Sequence, residues 1–206
     1  MSREVCQTHV WITTLQRVLF QFMPAGKYGA GTTTSNQGDE MVLIGLGSNR
    51  GDSRDFVLRA MMRLEQYSAG EMLRSHLWQT SPVDCPLGSG DFINAAVAFE
   101  ACSALTPESL LAGLKSLEVE FGRALDAVRN APREIDLDLL LFDDHIRDSP
   151  DFTLPHPRAV NRLFVLAPAA EVLPEAIWPN NGHSINQLLA ELQTDEQVTR
   201  LELALR

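Results

Sequence analysis

The stretch Arg129-Asn130-Ala131-Pro132-Arg133-Glu134-Ile135-Asp136-Leu137-Asp138-Leu139-Leu140 holds the residue types best suited to chemistry. It runs on through Leu141 and Phe142 as an apolar segment, which reads as a mostly buried strand. Side chains alternate along a strand, so Asp136 and Asp138 share a face. Two carboxylates side by side repel each other and are costly inside a fold. A divalent cation, or two, removes that cost, and Mg2+ suits such oxygen ligands while sharing its shell with substrate phosphates. Arg129 and Arg133 lie just upstream, where guanidinium forks can hold phosphate. Taken alone, the stretch leaves open a plain acidic pair at a strand end, solvated or paired with those arginines.

The elements that must position these residues follow in order. Val42 to Leu46 reads as a short buried strand ending in a glycine turn. Ser53 is placed to cap a helix whose apolar positions Phe56, Val57, Ala60, Met61 and Leu64 recur at helical spacing. Residues 71–80 read as a strand, 81–90 as a proline- and glycine-containing loop, and 92–99 as a second apolar strand. Thr106-Pro107-Glu108 opens a helix with a cap, a proline at its first position and an acid near its positive end. The Asp-Leu-Asp strand comes next. The order β-α-β-β-α-β predicts an α+β fold with a ferredoxin-like core, a mainly antiparallel sheet with helices packed on it. Residues 158–170 and 185–192 add two helix candidates and 198–205 a late strand, as C-terminal additions.

Residues 1–40 differ from the rest. Their last third is rich in Gly, Thr and Ser and reads as a flexible linker, so the expected organisation is an N-terminal extension, 1–40, and one domain, 41–206. Gly26-Lys27 does not make a phosphate loop, because the leading glycine is missing and Tyr28 stands where Ser or Thr is needed.

Of the 206 residues 45% are hydrophobic, enough for one sizeable core, and the formal net charge is -10. Such an acidic chain is a poor general binder of nucleic acid or anionic membrane, so neither is expected as a partner. No apolar run reaches the roughly 18 to 20 residues of a membrane helix. Three cysteines, Cys6, Cys85 and Cys102, lack metal-ligand spacing and read as free thiols of a reducing, cytoplasmic compartment.

Four stretches in order resemble the 6-hydroxymethyl-7,8-dihydropterin pyrophosphokinase family. They are Leu43-Ile44-Gly45-Leu46-Gly47-Ser48-Asn49, Asp91-Phe92-Ile93-Asn94-Ala95-Ala96-Val97, the Asp136 segment, and Leu154-Pro155-His156-Pro157 followed by Asn161-Arg162. The resemblance implies an enzyme of folate biosynthesis that moves the β,γ-diphosphate of ATP onto a reduced pterin and releases AMP. It implies two Mg2+ ions on Asp136 and Asp138, with Arg123 and Arg133 completing the catalytic set. For ATP it implies Glu118, Arg123, Arg129, Arg133, His156 and Arg162. For the pterin it implies stacking by Phe92 and Phe164, a ring-edge amide from Asn94, and backbone groups near Thr80 and Val83. The partners implied are these two small molecules, the protein itself being a monomer or weak homodimer.

The chain departs from the family between residues 123 and 131. Many members carry an aromatic and a second arginine in this mobile lid, where Leu125, Asn130 and Ala131 stand here. Two alternatives therefore stay open: a pterin-binding module with a degenerate lid, and another metal-dependent phosphoryl or nucleotidyl transferase on the same fold.

Overall fold

The computed structural model describes residues 40–81, 90–123 and 132–202. Val83, Leu125, Arg129, Asn130 and Ala131 lie outside the described residues, as do Cys6, Cys85 and the extension up to residue 39. Cys102 is half-buried, its Sγ 3.9 Å from the Gln66 carbonyl.

Strand β1 (Met41–Ser48) leads through a turn into helix α1 (Ser53–Leu64). Asp52, rather than the expected Ser53, caps this helix, accepting from the Asp55 N–H at 3.1 Å. An aspartate offers both an acceptor and a charge that the helix dipole favours, and Ser53 is drawn into the first turn. The single strand expected over 71–80 is two, β2 (Leu73–Arg74) and β3 (Leu77–Thr80). Ser75 causes the break. Its hydroxyl accepts from the Ala96 N–H at 2.8 Å while its own N–H donates to the Ala96 carbonyl at 2.9 Å, so a side chain replaces one rung of the ladder. The register shifts by one residue across it, with Arg74 opposite Val97 but Trp78 opposite Asn94.

Strand β4 (Phe92–Glu100) precedes α2 (Pro107–Glu120), which Thr106 and Ser109 open with a reciprocal capping box. Strand β5 (Asp136–Phe142) follows, then a two-stranded ribbon of β6 (Arg147–Asp148) and β7 (Thr153–Leu154). The helix expected from residue 158 is interrupted. A single 3-10 turn spans Ala159–Asn161, Arg162 is extended, and α3 runs from Leu163 to Val172. Helix α4 (Ile185–Glu191) and strand β8 (Val198–Leu201) complete the described chain.

The sheet has the order β5-β1-β4-β3-β8, every pair antiparallel, with β2 also on β4. This is the α+β, ferredoxin-like arrangement expected from the sequence. Helices cover both faces. Val42, Ile44, Leu46, Ile93, Val97, Leu137 and Leu139 pack with Val57, Met61, Leu110 and Leu114 of α1 and α2. Leu43, Ala96, Ala98 and Leu140 pack on the other face with Leu166, Ala169, Ile185 and Leu188 of α3 and α4. Burial on both sides explains why β1 and β4 read as continuous apolar runs.

Candidate functional site

The site occupies the α3 face of the sheet, at the end where the apolar packing stops. Register alone assembles its floor. Asp136 of β5 lies opposite Gly47 of β1, which lies opposite Asn94 of β4, which lies opposite Trp78 of β3. Asp138 stands opposite Gly45, and Phe92 opposite Thr80. Directly opposed residues project to the same face, so acids, amide and aromatics meet in one patch. The glycines keep it open: a β-carbon at Gly47 would lie 3.0 Å from Asn94 Oδ1.

The two acids differ. Asp136 accepts from Arg123 at 3.0 Å and from Arg133 at 2.7 Å, one arginine on each carboxylate oxygen. Burial pushes its carboxyl up, but Arg133, Lys115 and Arg123 together outweigh burial and hold it below the usual carboxylate range. Among the described residues, Asp138 has no such ion pair. Burial first, and the charge of Asp136 second, push its carboxyl up against the opposing pull of Lys115, Arg162 and Arg133. A carboxylate with no partner, on the same face as a second one, is the oxygen-donor set that fits a hard divalent cation completing its shell with phosphate oxygens and water. Among the described residues no group of three or more His, Cys, Asp or Glu side chains could enclose an ion by itself.

Glu118 holds the arginine side together from below. It is 1% exposed. Its Oε1 accepts from Lys115 at 2.9 Å and from the Leu137 N–H at 2.8 Å, and its Oε2 from Arg123 at 2.5 Å. Burial raises its pKa, opposed chiefly by Lys115. Strand β5 is the sheet edge, so side chains from the end of α2 reach past it to Asp136. Arg133 is fixed from the other side. Its N–H donates to Asn49 Oδ1 at 2.9 Å, and the Asn49 N–H donates to its carbonyl at 3.2 Å.

His156 hangs on β5 through its N–H, which donates to the Leu140 carbonyl at 3.1 Å. Among the described residues its buried Nδ1 has no hydrogen-bond partner. Burial, then the charges of Arg162 and Arg158, push its pKa down to about 4, so the imidazole is neutral at neutral pH. Arg162 thus acts on both His156 and Asp138, and its guanidinium lies 5.4 Å from the centre of the Phe164 ring. On the far side Asn94, buried, donates from Nδ2 to Thr80 Oγ1 at 2.8 Å.

Of the residues singled out from the sequence, the structure therefore joins Glu118, Arg123, Arg133 and Asp136 directly, and brings Asp138, His156 and Arg162 into the same field. Asn94, Thr80 and Phe92 share its floor, and Phe164 rises from α3 beside Arg162. Two contributors escaped sequence reading. Lys115 was signalled only by its spacing of three from Glu118 on α2. Asn49 stood in a noticed turn, but its partner Arg133 is distant in sequence.

A family model described as 7,8-dihydro-6-hydroxymethylpterin-pyrophosphokinase (HPPK) matches residues 43–174. The chain belongs to this family. It is 38% identical over 135 residues to the 2-amino-4-hydroxy-6-hydroxymethyldihydropteridine pyrophosphokinase of Bacillus subtilis, covering 65% of this chain and 78% of the relative. To the enzyme of the same name from Synechocystis it is 33% identical over 150 residues, covering 73% and 75%. A crystal structure of Plasmodium falciparum HPPK-DHPS with pteroate aligns with a TM-score of 0.56 at 14% identity, a likeness of fold alone. It covers 77% of this chain but 43% of that longer one. The resemblance read from the four motifs is borne out, and with it the pyrophosphokinase class and the folate-pathway step. Nothing found supports the non-catalytic alternative. No helix among the described residues is long and apolar enough to cross a membrane.

Proposed function

We propose that the patch on the α3 face carries out the diphosphate transfer itself, with ATP and 6-hydroxymethyl-7,8-dihydropterin bound side by side across β5, β1 and β4. The observation that carries this reading is the row Asp136–Gly47–Asn94, which sets a phosphate-and-metal half next to an amide-and-aromatic half on one floor. Arg123, Arg133, Arg162 and neutral His156 line the first half and hold the triphosphate; Arg129, outside the described residues, is assigned with them. Glu118 positions Arg123 from beneath, and Asn49 positions Arg133. Asn94, steadied by Thr80, reads the pterin edge while Phe92 and Phe164 stack on its ring; Val83, outside the described residues, is assigned with them.

Arg123 and Arg133 are both engaged with Asp136. A triphosphate offers those arginines stronger partners and releases Asp136 to join Asp138 as a ligand. Mg2+, two ions in this reading, would neutralise phosphate charge there and lower the pKa of the pterin hydroxyl. The reaction then needs positioning more than covalent help from the protein. The hydroxymethyl oxygen bonds to the β-phosphorus, the bond from that phosphorus to the α-phosphate oxygen breaks, AMP leaves, and the hydroxyl proton passes to water. The same reading makes the protein a cytoplasmic monomer or weak homodimer.

Incubation with ATP, Mg2+ and the pterin tests it. AMP formed only when the pterin is present supports the transfer. Pterin binding without AMP would make the chain a binding module, and neither would point to a different transferase.

A further inference from the structure

Helix α3 carries Phe164 and begins next to Arg162, yet its first turn makes few bonds of its own. The residue at the N-cap, Arg162, provides no capping side chain. Pro168 lacks an N–H, so the Phe164 carbonyl four residues back receives no helical bond from it. The leading N–H groups of any helix also lack intrahelical partners. Here Val165 and Leu166 donate to the Arg162 carbonyl, and an acid from far along the chain takes up the two groups before them. Leu163 and Phe164 both donate to Oε2 of Glu196, at 2.8 and 3.4 Å. Glu196 lies between α4 and β8, beyond the family match that ends at residue 174. Its own N–H donates to Thr194 Oγ1 at 3.1 Å, and two residues later Val198 is laddered opposite Thr80 of β3. The C-terminal segment is thus anchored on the strand that bears Thr80 and reaches across to the helix that bears Phe164.

We propose that Glu196 is a positioning residue for the pterin site, an N-cap supplied from outside the helix that fixes the first turn of α3 and so the Phe164 ring. A carboxylate suits the place twice, as an acceptor for two N–H groups and as a negative charge at the positive end of the helix. The role rests on the reading of Phe164 as a pterin-stacking residue. Three variants test it in the full chain: Glu196→Ala, Glu196→Gln, and Thr199→Ala as a change at an exposed position of the same segment. Hydrogen–deuterium exchange of peptides covering 158–168 reports the cap, and calorimetric titration with the pterin reports the site.

In Glu196→Ala the Leu163 and Phe164 amides should exchange faster. Its pterin Kd should rise by roughly 2- to 30-fold, the range that loss of a helix cap corresponds to. Glu196→Gln, which keeps an oxygen acceptor, should recover most of both, and Thr199→Ala should match wild type. Wild-type exchange or wild-type pterin affinity in Glu196→Ala would overturn the proposal, as would an equal loss in Thr199→Ala. Wild-type protein that binds no pterin would overturn the site reading and this role with it, an exchange difference then marking a cap and nothing more.

Discussion

Toward α1 and α2, strands β1 and β5 present Val42, Ile44, Leu46, Leu137 and Leu139; toward α3, the same strands present Gly45, Gly47, Asp136 and Asp138. The difference is one residue of offset along the same chain. The first face is apolar and closed by two helices. The second is apolar only as far as Leu43, Ala98 and Leu140, after which glycines clear a floor for acids and an amide. Side-chain period two lets a single strand serve both ends, and it means that a slip of one residue would exchange core for site. Stability and chemistry are therefore separable by position, and mutations at alternate residues should behave in opposite ways.

The largest separation is expected at Asp136. Asp136→Asn should lower turnover by several kcal/mol of barrier, roughly a thousandfold or more, because ligand and arginine anchor go together. It should also lower the melting temperature modestly, since Arg123 and Arg133 lose a shared partner. Activity and melting curves at saturating Mg2+ check both. On the other face, Leu114→Ala, a fully buried α2 residue, should cost about 2 to 5 kcal/mol of stability and leave turnover per folded molecule unchanged. Denaturant titration beside an activity assay reads the pair.

Within the site face, Phe92→Ala and Asn94→Ala should each weaken pterin binding by about 1 to 3 kcal/mol and ATP binding much less. Calorimetry with both ligands decides it, and equal losses would mean general disruption rather than a divided floor. His156 should leave a mark on the pH dependence of stability. Its folded pKa of about 4 lies below the unfolded value of 6.5, so the unfolded chain binds more protons between them. Stability is complete above that window and falls as pH drops from 6.5 toward 4, by up to about 3 kcal/mol before solvent screening. His156→Gln should flatten that part of the profile in chemical denaturation.

The fold was legible because each element carried its own local signals: the capping box at Thr106, the helical spacing from Phe56 to Leu64, and the apolar strands. What was not legible depended on partners far away. The break at Ser75 needs Ala96, and the late start of α3 goes with Glu196, 33 residues on. The site residues stood out through their family motifs, but the inequality of Asp136 and Asp138 did not. They are two residues apart on one strand, and only the reach of Arg123 and Arg133 separates them. Likewise Glu118 was expected among the ATP residues, and the fold makes it a buried brace for Arg123.

That inequality gives the most direct test of the central claim, that the α3 face of the sheet sacrifices stability for metal-dependent phosphate chemistry. The measurement is the melting temperature and pterin-dependent AMP formation of Asp138→Asn, side by side with wild type. Removing a half-buried, unbridged carboxylate beside Asp136 should raise the melting temperature without metal while turnover falls by a thousandfold or more, several kcal/mol of barrier, on the order of what loss of a metal ligand removes. A variant that forms AMP at near wild-type rate at ordinary Mg2+ would contradict the account.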